Sequence, residues 1–269
     1  MKSSKRFLGI YLALFHTFIS LAQSPVHAPN AGLPNLVHEE AAARDLRSAL
    51  NYLTSGNIPK DANLFGTVKI SGPQEAGSHR IVITCKGSRK MKVQMDLPAG
   101  KSTYVLSAGR AIMRGPTGDN FRLHAINTAS ETVEYLPFAI LEETDDPNMG
   151  IKAVGAGVVA STPVQVYKLS SAPATGFEHF RSDGRLDPVL VSIDPATNRI
   201  LKLEKAQYSE NGKFRHKVEI LFSDYRVVGG VSIPFTQQRF SDGRLRSTLQ
   251  LESVNFNTGH ADSEFELAQ

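Results

Sequence analysis

The residues whose types and spacing could support catalysis are few. The segment 155–160 (Gly-Ala-Gly-Val-Val-Ala) matches the glycine-rich pattern of dinucleotide-binding proteins, with Ala in place of the last Gly. That pattern holds a pyrophosphate only where it follows a strand and opens a helix. Pro163 comes too soon for such a helix, and the residues after it alternate as a strand does. We therefore interpret 155–160 as a flexible loop or a bulge.

Acidic and histidine residues do not form a metal-binding pattern either. The acidic stretch 142–148 could offer oxygens to Ca²⁺, but it lacks the spaced Asp/Asn residues and the turn Gly of a calcium-binding loop, which favours a solvated helix end. His38-Glu39-Glu40 begins like a zinc-protease helix, but position 42 is Ala where a second His is needed. The Gly-x-Ser-x-Gly motif is absent, although a hydrolase triad can assemble from distant residues. We expect a non-catalytic protein with no cofactor and no metal.

Basic side chains crowd one predicted hairpin: Lys86, Arg89, Lys90 and Lys92, with Arg80 nearby. Near an anionic membrane each such charge contributes about 1 kcal/mol of attraction. The same charges also suit a solvated turn, and they protect a sheet edge from pairing with another chain. Two interpretations therefore stay open, a peripheral membrane contact and a solvated turn.

Composition and charge exclude several classes of protein. Of the 269 residues, 41% are hydrophobic and 21% are charged, which excludes a disordered chain, a collagen-like fibre and a disulfide-dense miniprotein. Thirty Lys and Arg against 26 Asp and Glu give +4, and loss of Lys2, Lys5 and Arg6 with the segment described next leaves +1. No basic surface for nucleic acid is implied, so we expect no nucleic-acid partner.

The first 22 residues have the pattern of a secretory signal peptide. Basic residues come first, then an apolar run, then the small residues Ser20 and Ala22, which predicts cleavage after Ala22. The run is interrupted by His16 and is short for the roughly 30 Å of hydrocarbon that a membrane anchor must cross. We expect a protein that is periplasmic or secreted, with a flexible, proline-containing leader at 23–35 and a single domain at 36–269.

Two helices are predicted. The first runs from about 36 to 55, with Asn35 as N-cap and Gly56 at the C-terminal stop. Its apolar stripe has helical spacing and consists of Ala43, Leu46, Leu50 and Leu53. The second spans about 132–143, where Pro137 is expected to kink the helix or delay its start, because proline lacks a backbone N–H.

Most of the remaining chain alternates between apolar and polar residues, which is typical of strands with one buried face. The clearest case is 90–97, where Met91, Val93 and Met95 share one face, and Cys85 sits in a similar pattern as a buried, inert thiol. Further strands are predicted at about 64–71, 78–86, 102–107, 110–114, 120–126, 164–170, 176–182, 186–193 and 199–208. Strands are also expected around Phe214–Phe222, Val231–Phe235 and Leu245–Leu251, separated by the turn dipeptides Asn211-Gly212, Gly229-Gly230 and Asp242-Gly243. Short turns favour an antiparallel meander.

This order of parts resembles the LolA/LolB-type periplasmic lipoprotein carrier superfamily, including its outer-membrane-lipoprotein-sorting-like relatives. The most specific motif is 222–235 (Phe-Ser-Asp-Tyr-Arg-Val-Val-Gly-Gly-Val-Ser-Ile-Pro-Phe), followed by Ile193-Asp194-Pro195. The resemblance covers about 36–267 and implies a mainly β (α+β) fold, a strongly curved antiparallel half-barrel of about 10–12 strands covered by two or so helices. No residue matches the lid arginine of such carriers.

The pattern of residues leads to the same architecture independently. Many one-sided strands must bury their apolar faces, and two helices cover them only if the sheet curves around them. Imperfect filling would leave an apolar cavity that shields a lipid or an acylated protein. The residues predicted to line it are a lid of Leu136, Phe138, Ile140 and Leu141 and a wall of Met91, Val93 and Met95. The alternative for each is ordinary core packing.

Two functions follow from this fold. A carrier, expected to be monomeric, predicts a cavity of several hundred cubic ångströms. An envelope sensor or protein-interaction module predicts a filled core and an exposed apolar patch that binds an envelope protein.

Overall fold

The computed structural model describes residues 36–71, 77–107, 110–122, 134–146, 149–171, 188–208 and 214–266. The predicted signal peptide and leader lie outside these ranges. None of the helices within the ranges combines the length and apolarity needed to cross a bilayer.

The described strands form one antiparallel sheet of thirteen strands. They are β1 (Asp61–Ile70), β2 (Gly77–Lys86), β3 (Lys90–Leu97), β4 (Gly100–Ser107), β5 (Arg110–Arg114), β6 (Asn120–Arg122), β7 (Met149–Val159), β8 (Thr162–Ser171), β9 (Val189–Ile193), β10 (Ile200–Tyr208), β11 (Arg215–Val228), β12 (Val231–Ser241) and β13 (Arg244–Phe256). Two meanders, β1–β6 and β7–β13, join through the pairing of β1 with β13. Because β6 and β7 form opposite edges, residues 123–148 connect the two edges of the sheet. The described part of this connection, 134–146, contributes side chains to the core on the concave face.

Most predicted strands are confirmed, and β7 is the main correction. The segment 155–160 was expected to be a loop or bulge, but its residues up to Val159 lie in β7. The register does shift between Ala153 and Gly155, so a bulge is present. Gly155 and Gly157 contribute no side chain to an alternating pattern, which hides the strand in the sequence. The predicted strand at 176–182 and the end of the one at 120–126 lie outside the described residues.

The closing meander has the predicted hairpin turns at Gly229-Gly230 and Asp242-Gly243, whose backbones all have positive φ between 49° and 86°. Such turns match the twist of the strands they join. The sequence placed Leu245 on the face of Leu249, but a register shift after Arg239 pairs Leu245 with Phe240 and leaves it 36% exposed. Phe214, expected in the same alternation, precedes β11 and is 63% exposed. The Asn211-Gly212 turn lies outside the described residues.

Helix α1 (Glu40–Thr54) confirms the first predicted helix. Its buried stripe contains the four predicted residues and consists of Ala42, Ala43, Leu46, Ala49, Leu50, Leu53 and Thr54. The N-cap is Glu39 and not Asn35. The cause is pairing with β7, because the Ile151 amide donates to the Val37 carbonyl at 2.8 Å and keeps the chain extended up to Glu39. The helix ends where Ser55 adopts a left-handed conformation.

The second predicted helix is a 3₁₀ helix at Pro137–Asp145. It begins at Pro137 because proline lacks the N–H that an interior helix position donates, whereas the first helical turn does not need it. Phe138, Ile140 and Leu141 are buried, and Arg47 of α1 forms a 2.8 Å ion pair with Asp145. A second 3₁₀ helix spans Asp262–Phe265.

The inward side chains of the sheet, α1 and the first 3₁₀ helix form one continuous hydrophobic cluster. Opposite strand positions such as Ile83 with Val93 and Val93 with Tyr104 are buried on the same face. The two edge strands do not pair with each other, so the sheet is an open half-barrel. The predicted mainly β, antiparallel half-barrel is confirmed, with slightly more strands than expected.

Candidate functional site

An open groove of about 510 Å³ lies between α1 and the strands β7, β8 and β9. Small-molecule sites typically measure about 300–1,000 Å³, so the groove has a suitable size. Helix α1, strands β7–β9 and the turn after β9 all contribute to it. It is lined by Asp45, Ser48, Ala156, Pro163, Val164, Gln165, Tyr167, Ile193, Pro195 and Asn198.

Tyr167 joins the floor of the groove to α1. It is paired with Val191 across β8 and β9, and its hydroxyl donates a 3.2 Å hydrogen bond to Asp45 Oδ2. Burial raises the pKa of Tyr167 to about 12, with help from the negative charge of Asp45 and the hydrogen bond to it. The phenol therefore keeps its proton and holds the Asp45 carboxylate in place at the groove.

The rim of the groove is a tight turn built by the Ile193-Asp194-Pro195 motif. Asp194 accepts hydrogen bonds from the Ala196 amide at 2.9 Å and from the Thr197 hydroxyl at 2.6 Å. An aspartate that bonds to the backbone two residues ahead stabilises such a turn. Asn198, which lines the groove, follows with a positive φ of 52°. The motif that carried the family resemblance thus shapes the groove.

The longer motif at 222–235 forms hydrogen bonds to two elements next to the groove, the start of β10 and the end of α1. The Tyr225 hydroxyl donates a 2.5 Å hydrogen bond to the Ile200 carbonyl, which anchors β11 to the start of β10. At the hairpin end of the motif, the Ser55 hydroxyl donates to the Gly230 carbonyl at 2.7 Å. These two bonds hold α1 and the β9–β10 turn relative to the sheet, so the motif positions the groove without lining it.

The seven residues predicted to line a lipid cavity lie in the packed interior. Met91, Val93 and Met95 are fully buried on β3. Leu136 precedes the first 3₁₀ helix, and Phe138, Ile140 and Leu141 lie within it, all of them buried. The structure places all seven in one hydrophobic cluster. None of them lines the groove, so their contact with a ligand stays a prediction.

A buried polar cluster, which sequence reasoning missed, lies elsewhere on the concave face. Lys205 Nζ lies 2.5 Å from Glu134 Oε1, Arg239 forms a second ion pair with Glu134, and Arg239 also donates to Gln207 at 2.8 Å. Glu134, Arg239 and Gln237 border a pocket of about 30 Å³, space for roughly one water molecule. The sequence does contain an indication of this cluster. Lys205 and Gln207 follow Leu203 at every second position of the strand, so their side chains are expected on the same buried face.

The basic hairpin is paired within the chain. Lys86 and Lys90 lie 2.7 and 2.9 Å from Asp262 Oδ1, and Arg89 Nε lies 3.5 Å from Glu143 Oε1. Hydrogen bonds from the two lysines, together with their charges, lower the pKa of Asp262 to about 2. Lys92 lies in the same hairpin, on β3, and its charge contributes to the lowered pKa of Glu264. Membrane contact through these four residues stays a prediction.

Other candidate centres have structural roles. The Glu39 carboxylate accepts a 2.9 Å hydrogen bond from the Ala153 amide at the bulge of β7. Within the described ranges, no group of three or more His, Cys, Asp and Glu side chains could hold a metal ion. Cys85 is fully buried, and burial raises the pKa of its thiol.

Comparisons with known proteins bear on this fold. No protein-family profile and no curated protein matches the sequence. Solved structures do match. A domain from Vibrio parahaemolyticus assigned to outer membrane lipoprotein sorting aligns with a TM-score of 0.57 at 13% identity over 84% of this chain and 96% of that one. A LolA superfamily protein from Nitrosomonas europaea gives 0.55 at 13% identity over 82% and 97%.

A DUF1329 family protein from Desulfovibrio piger aligns with a TM-score of 0.54 at 12% identity, over 86% of this chain and 98% of that one. All three alignments cover nearly the full length of the known chain, so the likeness extends over the whole half-barrel. At such identities the likeness establishes the fold. The chain has the LolA-like fold that its sequence motifs predicted.

Proposed function

We propose that this protein binds a lipid or an acylated protein in the groove between α1 and β7–β9 and catalyses no reaction. The observation that carries the proposal is the groove itself, which has a volume of about 510 Å³ and is open to solvent. Pro163, Val164 and Ile193 supply apolar surface there. Complete burial of an acyl chain is worth about 0.8 kcal/mol per methylene, on the order of 10 kcal/mol for one chain before ordering costs, and an open groove provides part of this.

The seven residues predicted to line a lipid cavity could form a second binding site in the interior. The first 3₁₀ helix and the wall formed by Met91, Val93 and Met95 belong to one buried hydrophobic cluster. A long acyl chain would reach that wall only if the residues packed on it moved away. We propose the groove as the site used without such a movement and the covered wall as a second, deeper site.

The proposed location is the cell envelope. The pattern at 1–22 predicts export, and the Vibrio parahaemolyticus domain named above is assigned to outer membrane lipoprotein sorting. We propose a periplasmic or secreted monomer that shields its ligand from water during transport.

Two measurements test the binding function. Native mass spectrometry of the protein purified from cells should show copurified lipid. In addition, the neutral fluorophore N-phenyl-1-naphthylamine should bind with enhanced emission. Ser48→Trp places an indole in the groove and should weaken probe binding by about tenfold or more, equivalent to about 1.4 kcal/mol. Ser78→Trp, at an exposed position on β2 outside the groove, is the matched control and should bind as the wild type does. Absence of both copurified lipid and probe binding would refute the proposal.

A second candidate function is a protein-interaction module. The observation in its favour is that Val154 and Val158 of edge strand β7 are 57% and 70% exposed. Exposed apolar residues on a sheet edge can pair with an extended segment of another protein. If this is the function, Val154→Ser with Val158→Ser should abolish partner binding and leave probe binding intact. A carrier without such a partner would show the reverse sensitivity, to Ser48→Trp alone.

A further inference from the structure

We propose that the groove selects a single-chain amphiphile whose head group is a protonated amine, with the Asp45 carboxylate as the ionic partner. This inference rests on the ligand-binding function proposed above and specifies the chemical class of the ligand.

The charge of the groove is the first reason. Of the described residues that line it, Asp45 alone carries a formal charge, whereas Ser48, Gln165 and Asn198 are neutral hydrogen-bonding groups. A site with one negative charge attracts a cationic head group and repels a carboxylate or phosphate. An anionic fatty acid would therefore be a poor ligand despite a suitable tail.

The partners of Asp45 are the second reason. Within the described ranges, Asp45 accepts a hydrogen bond from Tyr167 and forms no ion pair. Two acidic residues near Asp45, Glu40 and Asp145, do have a basic partner, because Arg47 lies within ion-pair distance of both. The charge of Asp45 is therefore not neutralised by a basic side chain of the described structure. An ammonium group from a ligand would supply that missing charge.

The position of Asp45 is the third reason. It is exposed at the mouth of the groove, and its hydrogen-bond donor Tyr167 is buried in the floor. A ligand with its amine at Asp45 can place its tail against Val164 and Ile193 while the head group stays near water. Neither charge then has to be fully desolvated, which avoids the large cost of burying an ion.

Competition against N-phenyl-1-naphthylamine tests this inference. Dodecylamine and dodecanoic acid have equal chain lengths and opposite charges at pH 7.4. In low salt the amine should displace the probe at about tenfold lower concentration than the acid, because attraction and repulsion at a partly exposed charge each contribute a fraction of a kcal/mol. The preference should shrink at 0.5 M NaCl. Asp45→Asn should reduce it to about threefold or less, and Glu40→Gln, which removes the same charge from α1 outside the groove, should preserve it.

The outcomes separate the two proposals. Equal displacement by the amine and the acid, a preference for the acid, or a preference that survives Asp45→Asn would each overturn the amine selectivity while leaving ligand binding in place. Failure of the neutral probe to bind the wild-type protein would overturn ligand binding itself.

Discussion

The Lys205 ammonium lies 2.5 Å from the Glu134 carboxylate in the interior of the half-barrel. Glu134 belongs to the segment that crosses the concave face, and Lys205 belongs to β10, so the pair fixes that segment to the sheet. Burial alone would raise the pKa of Glu134, but the charges of Arg239 and Lys205 outweigh burial and lower the pKa. The glutamate is thus ionised although it is nearly inaccessible to water.

Removal of this carboxylate should be costly. Glu134→Ala leaves Lys205 and Arg239 without their shared partner, and loss of one member of a buried ion pair typically costs about 3–5 kcal/mol. Urea denaturation at pH 7 measures the free energy of unfolding. Glu266→Gln, at an exposed position, is the control and should change it by less than about 0.5 kcal/mol. A loss below about 1 kcal/mol for Glu134→Ala would contradict the view that the cluster anchors the crossing segment.

The ion pair between Glu134 and Lys205 also predicts how the free energy of unfolding depends on pH. Because the folded pKa of Glu134 is lowered, its stabilisation is complete above the unfolded value of about 4.3 and is lost as pH falls through the folded value. The difference in stability between wild type and Glu134→Gln should therefore shrink below about pH 4. A difference that stays constant from pH 7 to pH 3 would show that the charge of Glu134 is not responsible.

For Glu142 we expect the opposite dependence of stability on pH. Burial, together with the charge of Glu143, raises the pKa of Glu142 to about 7. A carboxyl group with a raised folded pKa stabilises the fold when protonated, so its contribution is present below the unfolded value of about 4.3 and is lost as pH rises toward 7. Glu142→Gln should raise the thermal midpoint at pH 8 and have little effect at pH 4. Equal effects at both values would contradict a titrating Glu142, and Glu266→Gln again serves as control.

The Tyr225 hydroxyl should matter for stability more than for binding chemistry. Tyr225→Phe removes the hydrogen bond to the Ile200 carbonyl and leaves that acceptor without this donor, at an expected cost of about 1–3 kcal/mol in the free energy of unfolding. Tyr52→Phe, on the exposed side of α1, should be neutral. A neutral Tyr225→Phe would indicate that the bond between β11 and β10 does not hold the groove in shape.

Charge reversal in the basic hairpin distinguishes a membrane contact from a solvated turn. Reversal of Lys86, Arg89, Lys90 and Lys92 to Glu should abolish sedimentation with anionic liposomes if the hairpin binds membranes. If the hairpin is a solvated turn, sedimentation should be unchanged. The reversal also breaks the pairs of Lys86 and Lys90 with Asp262, so a lowered thermal midpoint is expected in either case. Asp262→Asn provides the matched control for stability, because it removes these pairs and keeps the basic charges.

The fold could be predicted where the spacing of apolar residues matches the burial of those residues in the structure. Strand β3 alternates without interruption and is buried on the predicted side, and the stripe of α1 contains every residue expected. Leu245 was misplaced because a register shift after Arg239 changes which side chains face inward. Register shifts leave no mark in composition, so alternation alone does not locate them.

The groove was not predictable in the same way. Asp45, Gln165 and Asn198 come from α1, β8 and the turn after β9, and only tertiary structure brings them together. Apolar residues such as Met95 are predicted as cavity residues because the sequence pattern shows which side chains avoid water. Their contact with a ligand stays a prediction. In the sequence, the motif Ile193-Asp194-Pro195 carries only part of the family resemblance, and its role at the rim of the groove is visible only in the structure.

Paramagnetic relaxation by a neutral nitroxide ester of dodecanoic acid tests the central claim most directly. With the ester bound, amide resonances of Ala156, Gln165 and Ile193 should broaden most strongly. Those of Met91 and Met95 should broaden less, because the proposed deeper site opens only when the residues packed on it move. Broadening centred on the β3 residues, or no broadening specific to the protein interior or the groove, would contradict ligand binding between α1 and β7–β9.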